Sequence, residues 1–463
     1  MPAAPGSESV LSVDEPPLVR TPPPGPSSRA WSARLSRVES PAFAARRDAR
    51  AERTGDEQAP IVYAQASGAN VLDVDGNRYV DLTAGFGALA LGHGCPLVTR
   101  PVDRQARRLW HALGDVYPSD AKIGLMERLA QVYGDGARAV GSSDTDARVL
   151  LGQSGADAVT AALKTCALAT GRPGVVAFDG GYHGLSYGPL SVTSFQPSFR
   201  EPFAAQLSPH ARFVPFPRGD ADAAASLAAL DTALSTGAVG AVIFEPIQGR
   251  AGVRIAPPGF WAEVAARARQ HGALLVADEI WTGLGRAGAL TLSAELGVAP
   301  DVLCLGKALG GGLPLSACVG RDGVMAAWAE HGEVVHTATF HGSPIACAGG
   351  SALLDALRSE RLAARALDVG ARWLAELRGA LASAPELVEV RGRGLLIGVE
   401  LSSGELGLSM VRRLLAEGYL VVPGGRRAEV LTLTPPLTIS EARLSEFTAT
   451  LGSLLASLRD HVE

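Results

Sequence analysis

The sequence predicts an α/β protein, with a large domain on a mostly parallel sheet flanked by helices and a smaller α+β domain built from both chain ends. Two patterns carry that reading. Between about residues 95 and 345, short apolar runs at 149–152, 175–178, 241–245, 273–277 and 302–305 are separated by amphipathic stretches of helical length. The runs do not alternate apolar with polar residues, which is how strands covered on both faces read. Outside that window a hairpin signal near one end, and helices with a single strand near the other, suit a second, smaller unit.

Taken in order, residues 1–30 are dominated by Pro, Ser and Ala, including Pro22-Pro23-Pro24-Gly25-Pro26. They lack the apolar core of a signal peptide and carry acids foreign to a transit peptide, so they read as a disordered tail. Residues 31–94 read as a segment joining the small domain. A helix is expected near 30–38, and 69–81 alternates apolar and polar residues around Asp75-Gly76-Asn77, a hairpin signature. Residues 95–345 form the large domain, where Pro258 and Gly272 punctuate one helix. Residues 346–463 form the rest of the small domain. There, helices are expected at 345–357 and 360–382, a strand near 394–401 and a last helix at 440–458.

Composition narrows the function classes. The 463 residues are 47% hydrophobic and 19% charged with a net charge of −5, so there is no basic footprint for nucleic acid. No apolar run approaches the roughly 18 residues of a membrane span. Five cysteines (Cys95, Cys166, Cys304, Cys318 and Cys347) are odd in number and not in metal-ligand spacing. They predict a reduced, cytoplasmic protein without a metal site.

The chemistry starts from Lys307 at the end of one apolar run and Asp278 at the end of another. A lysine positioned by a buried strand can be a neutral amine, which forms a Schiff base with an aldehyde. A carboxylate in the same pocket can keep a ring nitrogen protonated. In Gly152-Gln153-Ser154-Gly155-Ala156 a strand turns into a helix over 156–169, aiming backbone N–H groups at an anion or simply capping the helix. Tyr182, in Gly180-Gly181-Tyr182-His183-Gly184, can stack on a planar ring. His183 fits a structural role at least as well as an acid–base one. Glu245 to Arg250 bring polar residues to the carboxyl edge of the sheet, where α/β proteins bind ligands. The loop 336–344 supplies hydroxyls.

In this order the motifs resemble those of class III (fold type I) pyridoxal-phosphate-dependent aminotransferases, the group holding ornithine, acetylornithine and 4-aminobutyrate aminotransferases. The match spans roughly 55–455 and is most specific in LLVADEIWTGLGRAG and PDVLCLGKALGGGLPLSACVG. The resemblance implies a pyridoxal 5'-phosphate cofactor and transfer of an amino group from an amino acid or amine to a 2-oxo acid. It implies that Lys307 is the imine lysine and proton shuttle, and that Asp278 pairs with the pyridine nitrogen. Gly155 and Ala156 would cradle the phosphate and Tyr182 stack on the ring. Thr339 would reach the phosphate from the neighbouring subunit, making the active unit a homodimer with shared sites.

Two coupled positions depart from that pattern. Ornithine and 4-aminobutyrate enzymes carry a glutamate at Arg250 and a carboxylate-clamping arginine at Thr432. Arg250 is therefore expected to bind a substrate carboxylate from the opposite wall; otherwise it faces solvent or a surface acid. Trp281 replaces a frequent glutamine near the cofactor's 3-oxygen, and Phe86 a frequent tyrosine. Both would favour a hydrophobic donor, unless Phe86 is core and Trp281 faces the dimer interface. Arg391 and Arg393 fit a structural loop. An amino-acid racemase or epimerase using the same Lys307 and Asp278 is the second reading, and a non-catalytic binding protein the third.

Overall fold

The computed structural model describes residues 12–458. Its centre is a seven-stranded sheet in the order Ala147–Gly152, Ser316–Arg321, Val302–Leu305, Leu274–Asp278, Val239–Phe244, Gly174–Phe178 and Ala211–Val214. Only Ser316–Arg321 runs antiparallel to its neighbours. Val239–Phe244 is buried along its whole length, as a two-sided central strand must be. Each expected apolar run forms one of these strands. Two further strands were not expected: Ala211–Val214, short and at the edge, and Ser316–Arg321, rich in small and polar residues.

The ends of the chain meet in a second sheet. The hairpin pairs Asn70–Asp73 with Arg78–Asp81, and Tyr419–Leu420 joins Arg78–Asp81 in parallel. A third sheet contains Leu387–Arg393, Leu396–Leu401, Val430–Leu433 and Val422–Gly424. The helix Pro344–Ser359 spans the expected domain boundary at 345/346. It packs against Pro96–Arg108 and Asp120–Ala139 of the large domain as well as Leu362–Leu381.

The expectation of a disordered tail over 1–30 is corrected from residue 12 onward, residues 1–11 lying outside those described. Leu18 forms a backbone bridge with Arg78. The buried Asn70 accepts the Glu15 N–H at 2.7 Å, and Asn77 accepts those of Arg20 and Thr21 at 2.8 and 3.0 Å. Two side-chain amides thus replace the strand partners that a proline-rich segment cannot supply for itself. A helix, Pro26–Leu35, follows with Pro26 in its first turn, earlier than the expected 30–38.

Candidate active site

Every expected site residue except Thr339 lines one cavity of about 530 Å³ at the carboxyl edge of the large sheet. The strands deliver them there in succession. Leu274–Asp278 ends on Asp278, and Val302–Leu305 leads through Gly306 to Lys307. Val239–Phe244 leads to Glu245 and Arg250, and Gly174–Phe178 to Tyr182 and His183. Lys307 holds a left-handed φ of +42°, costly for a side chain with a Cβ and fixed by the packed strand end behind it. Burial lowers its pKa from 10.5 to about 8, against the opposing pull of Asp278 and Glu245. Its Nζ lies 4.3 Å from the centroid of the Trp281 ring.

Asp278 is only 4% exposed. Its Oδ2 lies 2.7 Å from His183 Nδ1, and its Oδ1 accepts the Ile280 N–H at 3.2 Å. Burial opposes charge on His183, but the bond and charge of Asp278 outweigh it and raise the pKa above 6.5. The histidine is thus a positioning group behind the aspartate, a role the motif alone left open.

Glu245 was placed at the sheet edge by sequence but given no role. Its Oε1 accepts the Tyr182 N–H at 2.8 Å and its Oε2 the Gly249 N–H at 3.2 Å, tying two cavity loops together. Burial pushes its pKa up to about 7. Neighbouring Glu279 turns away and holds the Ser293 N–H at 2.8 Å and its hydroxyl at 2.6 Å.

The phosphate-ready turn is a helix start. Gly155–Thr170 is closed by a capping box in which Ser154 and Asp157 exchange side-chain and backbone bonds. That leaves the first-turn N–H groups at Gly155 and Ala156 on the cavity wall. A Cβ at position 155 would come 2.8 Å from Ile280, so glycine permits the close approach. Ile280, which no sequence motif singles out, lines the cavity near this turn.

Arg250 lines the cavity with its Cζ 5.5 Å from the Phe195 ring centroid, and has no ion-pair partner among the described residues. Burial lowers its pKa. Thr432 is buried in the strand Val430–Leu433, with its hydroxyl against Gly424. Phe86 is 49% exposed at the cavity mouth in a left-handed turn. Arg391 and Arg393 are taken up by structural contacts, to Gly252 and Ala287 carbonyls and to Glu400 and Glu295. Thr339 lies in an exposed loop outside the cavity lining.

The cavity fits pyridoxal phosphate. It offers a desolvated amine for the aldehyde, a buried carboxylate for the ring nitrogen, an aromatic wall and a helix start for the phosphate. Two buried polar atoms on its wall, Trp281 Nε1 and Thr282 Oγ1, have no partner among the described residues. The arrangement defines a pyridoxal-phosphate enzyme on an α/β fold.

Comparison with known proteins makes the assignment specific. The chain belongs to the class-III aminotransferase family, whose model matches residues 51–455. It is 35% identical over 387 residues to an acetylornithine aminotransferase of Methanosarcina mazei, covering 83% of this chain and 89% of that one. The ornithine aminotransferase of Toxoplasma gondii superposes with a TM-score of 0.78 at 30% identity, over 94% of this chain and 98% of that one. A PLP-bound amine transaminase from an uncultivated Pseudomonas species gives 0.77 at 29% identity, over 86% and 95%. The fold is fold type I, the cofactor is pyridoxal 5'-phosphate, and the chemistry is transfer of an amino group to a 2-oxo acid. These relatives lend no support to a racemase or epimerase.

Proposed function

We propose that Lys307 carries the cofactor and moves the proton, and that Arg250 fixes the carboxylate of the substrate. The single observation behind this reading is the buried amine of Lys307, depressed to about pKa 8, in one cavity with Asp278 and the Gly155 helix start. When bound, the cofactor supplies the aldehyde that takes up the amino group and a ring that draws electrons from the substrate's α-carbon. Asp278, held by His183, keeps the ring nitrogen protonated. Tyr182 covers the ring, and the N–H groups of Gly155 and Ala156 hold the phosphate. Lys307 Nζ, facing the cavity, would take and return the substrate's α-proton, as an amine with a pKa lowered to about 8 can.

Arg250 is supported as the carboxylate ligand by its place on the wall and by its want of an acidic partner among the described residues. Phe86 and Trp281 give the substrate end an apolar surround, favouring a hydrophobic amino acid or amine as donor. Thr339 sits in an exposed loop whose neighbours Val334, Val335 and Phe340 are also exposed, as a segment completing a partner's phosphate site would be. A homodimer with two shared sites is our reading of that loop. Five unpaired cysteines, four of them buried, favour the cytoplasm.

The test is a panel of amino donors added to the loaded enzyme without an oxo acid. Conversion of the cofactor's visible band to that of the amine form, by carboxylate-bearing donors above all, is the expected result. A band that no donor changes would sink the proposal.

A further inference from the structure

Two acids line the cavity, and Glu245 is the one that the proposed chemistry does not use. It follows directly on the strand Val239–Phe244 and is only 8% exposed. Its two carboxylate oxygens are taken up by different cavity loops. Oε1 accepts the N–H of Tyr182, the residue that covers the ring, at 2.8 Å. Oε2 accepts that of Gly249, the residue before Arg250, at 3.2 Å.

The same two loops meet again through Phe195, a residue outside the cavity lining and 3% exposed. Its ring meets that of Tyr182 edge-on, with centroids 6.2 Å apart and planes at 87°. The Arg250 Cζ lies 5.5 Å from the centroid of the same ring. Tyr182 and Arg250 are thereby joined twice, by backbone through Glu245 and by side chain through Phe195. Only the first link can be opened by a proton. An ionised carboxylate accepts on both oxygens, whereas protonation turns one of them into a donor. The oxygen with the longer bond, Oε2, gives up less on taking the proton, and the Gly249 N–H then loses its acceptor.

The surroundings of Glu245 set where this happens. Burial raises its pKa to about 7, with His183 lowering it, Asp278 raising it and Lys307 lowering it to smaller extents. Arg250 is the remaining charged side chain on the cavity wall. The double link is therefore complete above about pH 7 and reduced to Phe195 and the Tyr182 bond below it.

We propose that Glu245 is a positioning residue for acid binding: as a carboxylate it fixes the Arg250 loop against the Tyr182 loop, and on taking up a proton it releases the Gly249 end. This rests on the reading of Arg250 as ligand of the substrate carboxylate. Affinity for acids is then full above the titration of Glu245 and declines below it.

The test measures binding of hexanoate, a non-reacting acid, to the cofactor-loaded enzyme by titration calorimetry. It runs from about pH 6 to about pH 8.5, where the probe itself stays ionised. Wild type is expected to bind hexanoate about threefold to tenfold more weakly at the acid end. Glu245→Gln keeps the shape and one acceptor but has no proton to lose, so it should bind weakly throughout, within about twofold. Glu245→Asp, still ionisable, should keep the pH dependence. Retention of the cofactor band reports intact folding in each variant. Amide exchange of residues 246–251, corrected for the intrinsic effect of pH, reads the link without any ligand. It should be faster near the acid end than near the basic end in wild type, and fast at both in Glu245→Gln. A wild-type affinity or exchange that does not change with pH, or a glutamine variant that keeps the wild-type profile, would overturn the proposal. Arg250→Gln separates the two readings. It should weaken hexanoate at every pH, and if it does not, the Arg250 reading fails while the exchange still judges Glu245.

Discussion

The Lys307 Nζ lies 4.3 Å from the centroid of the Trp281 ring, so the reactive amine rests against an aromatic face as well as beside Asp278. A ring face attracts an ammonium by roughly 0.5–2 kcal/mol. Trp281 therefore holds the protonated amine in place and opposes part of the burial that drives it neutral. Its bulk is accommodated by Gly249, where a Cβ would come 2.5 Å from the ring. The tryptophan at 281 thus sets the environment of the Lys307 amine as well as the shape of the cavity.

Trp281→Leu removes that attraction and leaves the burial. The Lys307 pKa should then fall below its value of about 8, by about 0.5–1 unit. The pH dependence of modification of the cofactor-free protein by an amine-selective reagent measures this. An unchanged midpoint would show that the ring contact has no energetic weight.

The depressed Lys307 also makes stability depend on pH. Between about pH 8 and 10.5 the unfolded chain keeps a proton that the folded chain has lost, so unfolding free energy rises with pH across that window. Below about pH 8 the folded state carries the full cost of a buried ammonium. Lys307→Met should be more stable than wild type there and should lack the rise, as urea unfolding of the cofactor-free proteins at several pH values would show.

His183 and Asp278 form a buried pair at 2.7 Å. His183→Leu leaves a carboxylate withdrawn from water without its donor, at a cost of about 3–5 kcal/mol. Adding Asp278→Asn should restore part of the loss, because the uncompensated charge goes with it. A double-mutant cycle with additive effects would mean that the pair is not coupled.

Arg250→Leu separates binding from folding. It should raise KM for carboxylate substrates about 10–100-fold, matching the roughly 1.5–3 kcal/mol of a hydrogen bond to a charged group. Thermal stability of the cofactor-free protein should not fall, because no acid among the described residues is left unpaired. Equal KM values with a lower Tm would make Arg250 a structural residue.

The parts legible in the sequence were those encoded locally. Val239–Phe244 and Val302–Leu305 are buried throughout, and such burial writes itself as an unbroken apolar run. Lys307, Asp278 and Tyr182 lie at the ends of such runs, where a sheet edge presents side chains. Ser316–Arg321 escaped because its small and polar residues give no run, although the strand lies between two others. The order of residues 12–30 escaped because it depends on the Asn70 and Asn77 side chains, some 55 residues away in sequence. The roles of His183 and Glu245 depend on partners 95 and 63 residues away, and no local pattern states them.

The chain has three lysines, and only one is at the cavity. Lys122 donates to the Gly114 carbonyl and Lys164 to that of Val335. Borohydride reduction of the loaded protein, then proteolysis and mass spectrometry, will show which lysine holds the cofactor. The prediction is a phosphopyridoxyl group on Lys307 alone, absent from Lys307→Ala. Its appearance on Lys122 or Lys164, or on no lysine at all, would contradict the account.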